Sequence, residues 1–362
     1  MSQITAAEAR ASTDEAKVVI DCLMAKAKSA MEAFENADQE TVDEAVTALA
    51  WSIYEPARAR ELAETAVRDT GLGNVESKVI KNMRKTFGCL RDLMRVRSVG
   101  IIEERPEKGL VLYAKPIGVV AAVAPSTNPA ATPVNKAMMA VKGRNAVIVA
   151  PSPAGLSTTS QTVEYMRDEL RKVGAPEDLV QVLPAPVNKT LTQELMNQAD
   201  LIVVTGSQNN VRRAYSSGTP AIGVGAGNVP VIIDSTADLQ DAAKKIMMSK
   251  CFDNATSCSS ENSVTILDDV YEDAIQALKN AGGYLVTSEE KQKILDTLWV
   301  DGHLNRHVIA KDPDVLAEHC GLSEEAKSAK FFLVEDQNGV GKDYPLSDEK
   351  LSLVLTVYRA KD

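Results

Sequence analysis

The stretch "LIVVTGSQNNVRRAYSSG", residues 201–218, opens with a short apolar run that ends at Thr205. A buried strand that ends in Thr205, Gly206 and Ser207 and continues directly into a helix would aim free backbone N–H groups at a ligand. Small residues at such a helix N-terminus are how α/β sheets hold a pyrophosphate. On spacing alone, an ordinary strand-to-helix turn is an equally good interpretation.

Three further apolar runs precede this stretch, and each is followed by a segment long enough for a helix. They are "IGVVAAVA" at 117–124, "NAVIVA" at 145–150 and "LVQVL" at 179–183. Strands that are apolar on both faces and alternate with helices predict a parallel sheet covered on both sides. The fold class is therefore α/β, with a doubly wound parallel sheet.

A second alternating region begins after "VPVIID", residues 229–234, which places a domain boundary near residue 235. The chain is thus predicted to consist of an N-terminal domain, 1–235, and a second α/β domain, 236–362. The length of 362 residues agrees with two domains.

Helical periodicity dominates the first hundred residues, with helices predicted around 19–34, 42–53 and 77–94. Asp38 is a candidate N-cap of the second of them, with Thr41 three residues later. Two strand-like runs around a breaker then predict a hairpin at 97–116. Because such a hairpin leaves an open edge, we expect a homo-oligomer, a dimer or a tetramer.

Composition restricts the function classes. The chain is 44% hydrophobic and 25% charged, and 40 basic against 50 acidic residues leave a net charge of −10. This acidity and an aromatic content of 4% argue against a nucleic-acid partner. No apolar run is long enough to span a membrane, and residues 1–17 lack the pattern of a secretory leader. Five scattered cysteines suit reduced thiols, so we expect a cytoplasmic enzyme.

Two loops offer backbone or amide groups to a ligand. "VAPSTNPAATPVNK" follows the first sheet strand and carries Pro125, Ser126, Thr127 and the amide of Asn128 at the edge where α/β folds bind ligands. An Asx or N-cap turn at Asn128 is the alternative. "AIGVGAGNVPVII" has three alternating glycines before a strand, so it is not a dinucleotide fingerprint, which opens a helix. Glycines at this spacing let the backbone approach a ligand or a neighbouring strand closely. These glycines are Gly223, Gly225 and Gly227.

"CFDNATSCSSENS", residues 251–263, contains two cysteines seven positions apart. A lone cysteine is most often a small buried hydrophobe, and Cys251 is interpreted in that way. At Cys258 the alternative is a nucleophile, which the phosphate-type turn and the amide loop elsewhere in the chain favour. No metal site is predicted, because the chain has no Cys-x-x-Cys pair and "HLNRH" lacks an acidic base.

Together these segments resemble the aldehyde dehydrogenase superfamily, in its CoA-acylating branch. The resemblance rests on "PSTNPAATPVNK", "RNAVIVAPSP", "TGSQNNVRRAYSSGTPAIGVGAGNVPVIID", "FDNATSCSSENSV" and "DEKLSLVLTVYRAKD", which keep the family's order and spacing. It implies that Cys258 is the nucleophile, that Asn128 donates to the oxyanion and that Glu349 holds the nicotinamide ribose. It implies NAD as cofactor, with NADP left open, and coenzyme A as co-substrate. The implied cofactor-binding residues are Thr205, Gly206, Ser207, Pro125, Ser126, Thr127, Gly223, Gly225, Gly227 and Glu349.

Hydrolytic members of the family activate water with a glutamate about 34 residues before the cysteine, but residues 222–225 contain no carboxylate. We therefore expect acyl-CoA as product, from acetaldehyde or sulfoacetaldehyde. Two alternatives remain: a hydrolytic dehydrogenase that releases a free acid, and a non-catalytic homologue. Relatives continue for about a hundred residues, so we expect a catalytic domain that is incomplete at its C-terminus. The sequence does not show whether the protein is free or packaged in a bacterial microcompartment.

Overall fold

The computed structural model describes residues 6–361, with side chains from residue 13 onward. The predicted lack of a secretory leader concerns residues 1–17 and so lies partly outside the described residues. None of the described helices is both long and apolar enough to cross a membrane.

Four helices open the chain. They are α1 (Ala6–Phe34), α2 (Gln39–Tyr54), α3 (Pro56–Thr70) and α4 (Val75–Leu93). The predicted N-cap is confirmed: the Asp38 carboxylate accepts a hydrogen bond from the backbone N–H of Thr41 at 2.9 Å. The sequence did not single out α3 as a separate helix. It begins at Pro56, whose missing N–H is tolerated in a first helical turn.

The predicted hairpin is confirmed as β1 (Ile101–Arg105) paired antiparallel with β2 (Leu110–Tyr113). Gly109, at φ +63°, closes the turn between them, a conformation that glycine adopts at little cost. Several large apolar side chains of the hairpin are exposed. These are Ile102, Leu110, Val111 and Tyr113.

The first sheet is parallel throughout and has the strand order β5-β4-β3-β6-β7. Its strands are β3 (Val119–Val123), β4 (Ala146–Ala150), β5 (Val180–Val182), β6 (Leu201–Thr205) and β7 (Ala221–Val224). The helices α5 (Ala131–Lys142), α6 (Leu156–Lys172), α7 (Lys189–Gln198) and α8 (Gln208–Tyr215) connect them. All four predicted strands are confirmed, and β7 is an additional edge strand that contains Gly223. The order reverses direction between β3 and β6, which makes their carboxyl ends the topological switch point.

The second sheet is also parallel, with the order β10-β13-β14-β9-β8. It contains β8 (Val229–Ile233), β9 (Glu261–Leu267), β10 (Gly283–Leu285), β13 (Phe331–Glu335) and β14 (Val354–Ala360). Its helices are α9 (Leu239–Cys251), α10 (Tyr271–Asn280), α11 (Ser288–Leu298), α12 (Pro313–Cys320) and α13 (Glu324–Lys327). A small hairpin of β11 (Trp299–Val300) and β12 (His303–Leu304) stands apart. The predicted α/β class is confirmed for both sheets.

Contacts divide the described chain into two compact units at residues 225 and 226, ten residues before the predicted boundary of 235. The reason is that "VPVIID" forms β8, which pairs with β9 and so belongs to the second sheet. Unit one holds the described residues up to Thr70 and Lys78–Gly225, whereas unit two holds Gly71–Ser77 and the chain from Ala226 onward. Each unit has its own apolar core, so each is described separately.

Candidate functional site

The thiol of Cys258 is exposed, in a loop whose five preceding residues are buried. This loop joins α9 to β9 in unit two. The neighbouring Cys251 is half-buried, and burial raises the pKa of its thiol to about 11. Cys89 and Cys320 are also less accessible than Cys258, and burial raises the pKa of each thiol. Of the five cysteines only Cys258 and Cys22 are exposed, and Cys22 lies on α1 in unit one.

The backbone before Cys258 is left-handed at three consecutive non-glycine residues. Asp253, Asn254 and Ala255 have φ values of +51°, +51° and +62°. Asparagine and aspartate tolerate this region, whereas an alanine there is strained. Such strain persists only where surrounding structure imposes it, and it is concentrated at functional sites. The loop that carries Cys258 is therefore held in one shape by its surroundings.

Hydrogen bonds within unit two impose that shape. The Asp253 carboxylate accepts from the backbone N–H of Asn74 at 3.0 Å and from the Thr256 hydroxyl. The Asn254 amide donates to the Asp312 carboxylate at 2.9 Å and to the carbonyl of Ala310 at 3.4 Å. Both side chains are almost fully buried, so these bonds form away from competing water.

Three residues predicted for the site lie together in unit two: Cys258, Gly227 and Glu349. A Cβ atom added at Gly227 would lie 2.9 Å from the carbonyl oxygen of Cys258 and 3.6 Å from its Cβ. The same Cβ would be 3.7 Å from Oε1 of Glu349. Burial raises the pKa of Glu349, and a hydrogen bond from the Gly227 N–H to the carboxylate opposes this effect. Gly227 therefore allows three separate segments of the chain to meet.

The other two glycines of that segment also permit close approach, but to elements of unit one. A Cβ at Gly223 would lie 2.7 Å from Cγ1 of Val211, and one at Gly225 would lie 2.5 Å from Nε2 of Gln208. Val211 and Gln208 belong to α8, so these glycines let the helix pack on β7. The close approach at these positions is thus to side chains of α8, whereas the sequence predicts approach to a ligand or a neighbouring strand, and contact of these glycines with a cofactor stays a prediction.

In unit one, the two predicted cofactor loops follow β3 and β6, the neighbouring strands at the switch point. Gly206 has φ +153°, a conformation reserved for glycine, and nothing lies within 4 Å of a Cβ added there. Ser207 caps α8 by accepting from the backbone N–H of Asn210 at 3.4 Å. This open turn at a helix N-terminus fits a dinucleotide phosphate.

Pro125, Ser126, Thr127 and Asn128 are all partly buried in the loop after β3. The helix that follows, α5, is capped by Ala130 without a side-chain hydrogen bond, so Asn128 is not its N-cap. The carbonyl of Thr127 accepts from the Lys78 amine at 3.4 Å, which ties this loop to α4. The oxyanion role of Asn128 stays a prediction.

Sequence reasoning overlooked Lys136, which is 5% exposed on α5. Its amine donates to the carbonyls of Val123 at 2.6 Å and Val203 at 2.9 Å, on β3 and β6. Burial lowers its pKa to about 7. Lys136 thus joins the two strands at the edge from which both cofactor loops start. Lys136 ends the segment "PSTNPAATPVNK", but the sequence does not signal its burial, because lysine is usually a surface residue.

Two more lysines that sequence reasoning overlooked are fully buried in unit two, Lys250 and Lys350. The Lys250 amine donates to the carbonyl of Glu261 at 2.7 Å, and burial lowers its pKa to about 7. Burial lowers the pKa of Lys350 well below the usual range, and nearby Lys250 lowers it further. Across the part of the chain whose side chains are described, no group of three or more His, Cys, Asp and Glu residues could hold a metal ion.

Comparison with known proteins gives consistent matches along the chain. A family model described as "Aldehyde dehydrogenase family" matches residues 3–293. The chain is 53% identical over 343 residues to a sulfoacetaldehyde dehydrogenase (acylating) from Cupriavidus necator, which covers 95% of this chain and 70% of that protein.

Two solved structures resemble the fold closely. The crystal structure of an acetylating aldehyde dehydrogenase from Geobacillus thermoglucosidasius has a TM-score of 0.91 and 36% identity, covering 96% of this chain and 76% of that one. A propionaldehyde dehydrogenase from Rhodopseudomonas palustris, solved with bound CoA and an acylated cysteine, has a TM-score of 0.82 and 25% identity. That match covers 94% of this chain and 77% of the other.

Proposed function

Since the chain belongs to the aldehyde dehydrogenase family, we propose that it oxidises a short-chain aldehyde and transfers the acyl group to coenzyme A. The acylating relative that is 53% identical over 95% of this chain supports the reaction type. The observation that carries the proposal is the exposed Cys258 beside Gly227 and the Glu349 carboxylate. The proposed cofactor is NAD, with NADP open, and the co-substrate is coenzyme A.

The reaction starts when the Cys258 thiolate attacks the aldehyde carbon and the carbonyl electron pair moves to oxygen. The backbone N–H of Cys258 is a donor for this oxyanion, and removing one such donor costs about 10²–10³ in rate. The bound nicotinamide cofactor supplies the hydride acceptor. Loss of hydride from the former aldehyde carbon restores the carbonyl and leaves a thioester on Cys258.

The residues at both predicted cofactor positions fit a dinucleotide. The turn Thr205, Gly206 and Ser207 offers open space at Gly206 and leads into the N-terminus of α8, although the Gly206 N–H itself donates to the carbonyl of Val224 at 3.1 Å. Glu349 offers carboxylate oxygens for ribose hydroxyls. Burial raises the pKa of Glu349, whereas the nearby Gly227 N–H favours the charged carboxylate. We infer that Glu349 holds the nicotinamide ribose and that the turn contacts the phosphates.

The second half-reaction distinguishes coenzyme A from water as the acyl acceptor. Water needs a general base, and the segment 222–225 has no carboxylate. A coenzyme A thiolate is itself a good nucleophile: it attacks the thioester carbon, and the Cys258 thiolate leaves. The lack of a carboxylate at this position therefore supports acyl-CoA as product and speaks against a hydrolytic dehydrogenase.

Sulfoacetaldehyde is our preferred substrate, on the strength of the acylating relative that is 53% identical to this chain. Acetaldehyde is the second candidate, favoured by the acetylating enzyme with a TM-score of 0.91. The two aldehydes differ by a sulfonate group. An enzyme adapted to sulfoacetaldehyde must therefore gain binding free energy from contacts with that anion. A comparison of kcat/KM for the two aldehydes separates the candidates.

Formation of NADH with each aldehyde, in the presence and absence of coenzyme A, tests the proposal. We expect turnover that requires coenzyme A, its loss in Cys258→Ser, and its retention in Cys22→Ser, the other exposed cysteine. Equal rates of free-acid formation without coenzyme A would indicate the hydrolytic alternative. Inertness toward both aldehydes, with no effect of Cys258→Ser, would favour the non-catalytic homologue.

We also propose that the protein is a homo-oligomer. The hairpin β1–β2 exposes Leu110 at 48%, Val111 at 50% and Tyr113 at 59%, and its outer edges pair with no other strand among the described residues. Such an edge is normally covered. Light scattering should give a molar mass that is a multiple of the chain mass of 38.9 kDa. Val111→Glu should lower this measured molar mass. A monomer at micromolar concentration would contradict this proposal.

A further inference from the structure

Lys250 and Lys350 are unusual because both side chains are 0% exposed and the hydrogen bonds of their amines go to backbone carbonyls. An unpaired charge is unfavourable in a buried site. If these two lysines only filled space, apolar residues of similar size could replace them at little cost in stability. Burial lowers the pKa of both amines, which agrees with neutral hydrogen-bond donors. The question is which groups these donors hold.

The Lys350 amine closes a short loop around Glu349. It donates to the carbonyls of Leu346 at 2.6 Å and Asp348 at 3.1 Å, on the amino-terminal side of Glu349. The backbone that precedes Glu349 is therefore held by the side chain of the residue that follows it. Removing the amine would free this loop, although the carboxylate itself would still be present in the chain.

Asn262 connects that loop to the chain that carries the nucleophile. Its side-chain oxygen accepts from the backbone N–H of Lys350 at 3.1 Å, and Asn262 is 3% exposed. It stands four residues after Cys258 and one after Glu261, whose carbonyl accepts from Lys250. The bond from the Lys350 N–H to Asn262 thus joins the segments of Cys258 and Glu349, while the Lys250 amine holds the first segment and the Lys350 amine holds the second.

A third tie reaches the segment of Gly227. The Asn228 amide donates to the carbonyl of Ser347 at 2.7 Å, within the same loop that Lys350 closes. The Gly227 N–H also lies near the Glu349 carboxylate and lowers its pKa, against the effect of burial. All three segments that meet at the candidate site are therefore linked by direct hydrogen bonds behind it.

We infer that Lys350 and Asn262, supported by Lys250, are positioning residues that hold the Glu349 carboxylate and the Cys258 loop in fixed relation to one another. The inference rests on the proposed function, because Glu349 is the proposed ribose ligand. Loss of the buried Lys350 amine should therefore weaken cofactor binding and slow the reaction of the Cys258 thiol, although Glu349 and Cys258 are both still present. A purely structural role would lower stability alone.

The test uses Lys350→Met, which retains the length of the side chain but cannot donate a hydrogen bond. The control is Lys291→Met, because the Lys291 amine also bonds a carbonyl, of Glu335 at 2.8 Å, and a buried carboxylate, of Asp336 at 2.9 Å. Fluorescence titration gives the Kd for NADH, and alkylation by iodoacetamide gives the rate constant at Cys258. We expect about a tenfold rise in Kd and a severalfold change in alkylation rate for Lys350→Met, with neither in the control.

A second pair of variants makes the result independent of Lys350. Asn262→Asp keeps the accepting oxygen and should preserve NADH affinity to within a few-fold, whereas Asn262→Leu should weaken it about tenfold. If Lys350→Met does not fold, the comparison of NADH affinity between Asn262→Asp and Asn262→Leu tests the inference by itself. Unchanged NADH affinity in Lys350→Met or Asn262→Leu would overturn the inference. Failure of the wild-type protein to bind NADH would instead overturn the proposed function.

Discussion

Replacing Gly227 with alanine tests the close packing behind Cys258. The new Cβ would lie 2.9 Å from the Cys258 carbonyl oxygen, and ordinary van der Waals contact begins near 3.4 Å. The two segments must therefore separate by roughly 0.5 Å, an overpacking that costs about 1–3 kcal/mol of stability. A displacement of 1 Å at a reacting centre costs about 10² in rate, so half of that predicts roughly a tenfold loss in kcat/KM.

The assay is NADH formation with aldehyde and coenzyme A, together with urea unfolding of each variant. Gly88→Ala is the matched control, because Gly88 lies within α4 and nothing lies within 4 Å of an added Cβ. The control should be stabilised by about 0.5–1 kcal/mol with unchanged kcat/KM. Unchanged kcat/KM in Gly227→Ala would show that the Cys258 carbonyl is not held where the structure has it.

Two further predictions concern stability. Ala255→Gly should raise the free energy of unfolding by about 1 kcal/mol, because alanine is strained at φ +62°; a loss of stability in urea unfolding would contradict this. Lys136 and Lys250 have folded pKa values of about 7, below the ordinary 10.5, so above pH 7 the unfolded state binds more protons. The free energy of unfolding should therefore rise between pH 7 and pH 9, by about 2 kcal/mol per lysine. Lys136→Met should remove part of this rise, and a pH-independent wild type would refute the reasoning.

Much of the fold follows from the sequence because its strands are apolar on both faces. The runs at 119–123, 146–150 and 201–205 contain almost only apolar residues, and all three became parallel strands. The edge strand β7 was overlooked because Gly223 interrupts it and half of its residues are exposed. Its strand character comes from pairing with β6, a tertiary effect that local preference does not register.

The family assignment from sequence is confirmed by the match over residues 3–293. Within unit two, Cys258, Gly227 and Glu349 come from segments that are far apart in the chain, and the structure places them together. Motif order and spacing could single out these residues, since each lies in a short recognisable segment. Their chemical roles stay predictions until activity is measured.

The buried lysines could not be predicted from sequence. Lysine is almost never fully buried unless its amine finds partners, and here the partners are backbone carbonyls that exist only in the folded chain. Lys136 bonds Val123 and Val203, which are 80 residues apart in sequence but adjacent across β3 and β6. Side chains of this kind become visible only when the hydrogen bonds of the folded structure are known.

Mass spectrometry of the protein trapped during turnover tests the thioester on Cys258 most directly. The protein is mixed with aldehyde and NAD, without coenzyme A, and is then quenched in acid and digested. We predict that the peptide containing Cys258 gains the mass of the acyl group and loses it when coenzyme A is added before the quench. Turnover with no acyl group on that peptide, or with the acyl group on Cys22 or Cys251 instead, would contradict the account.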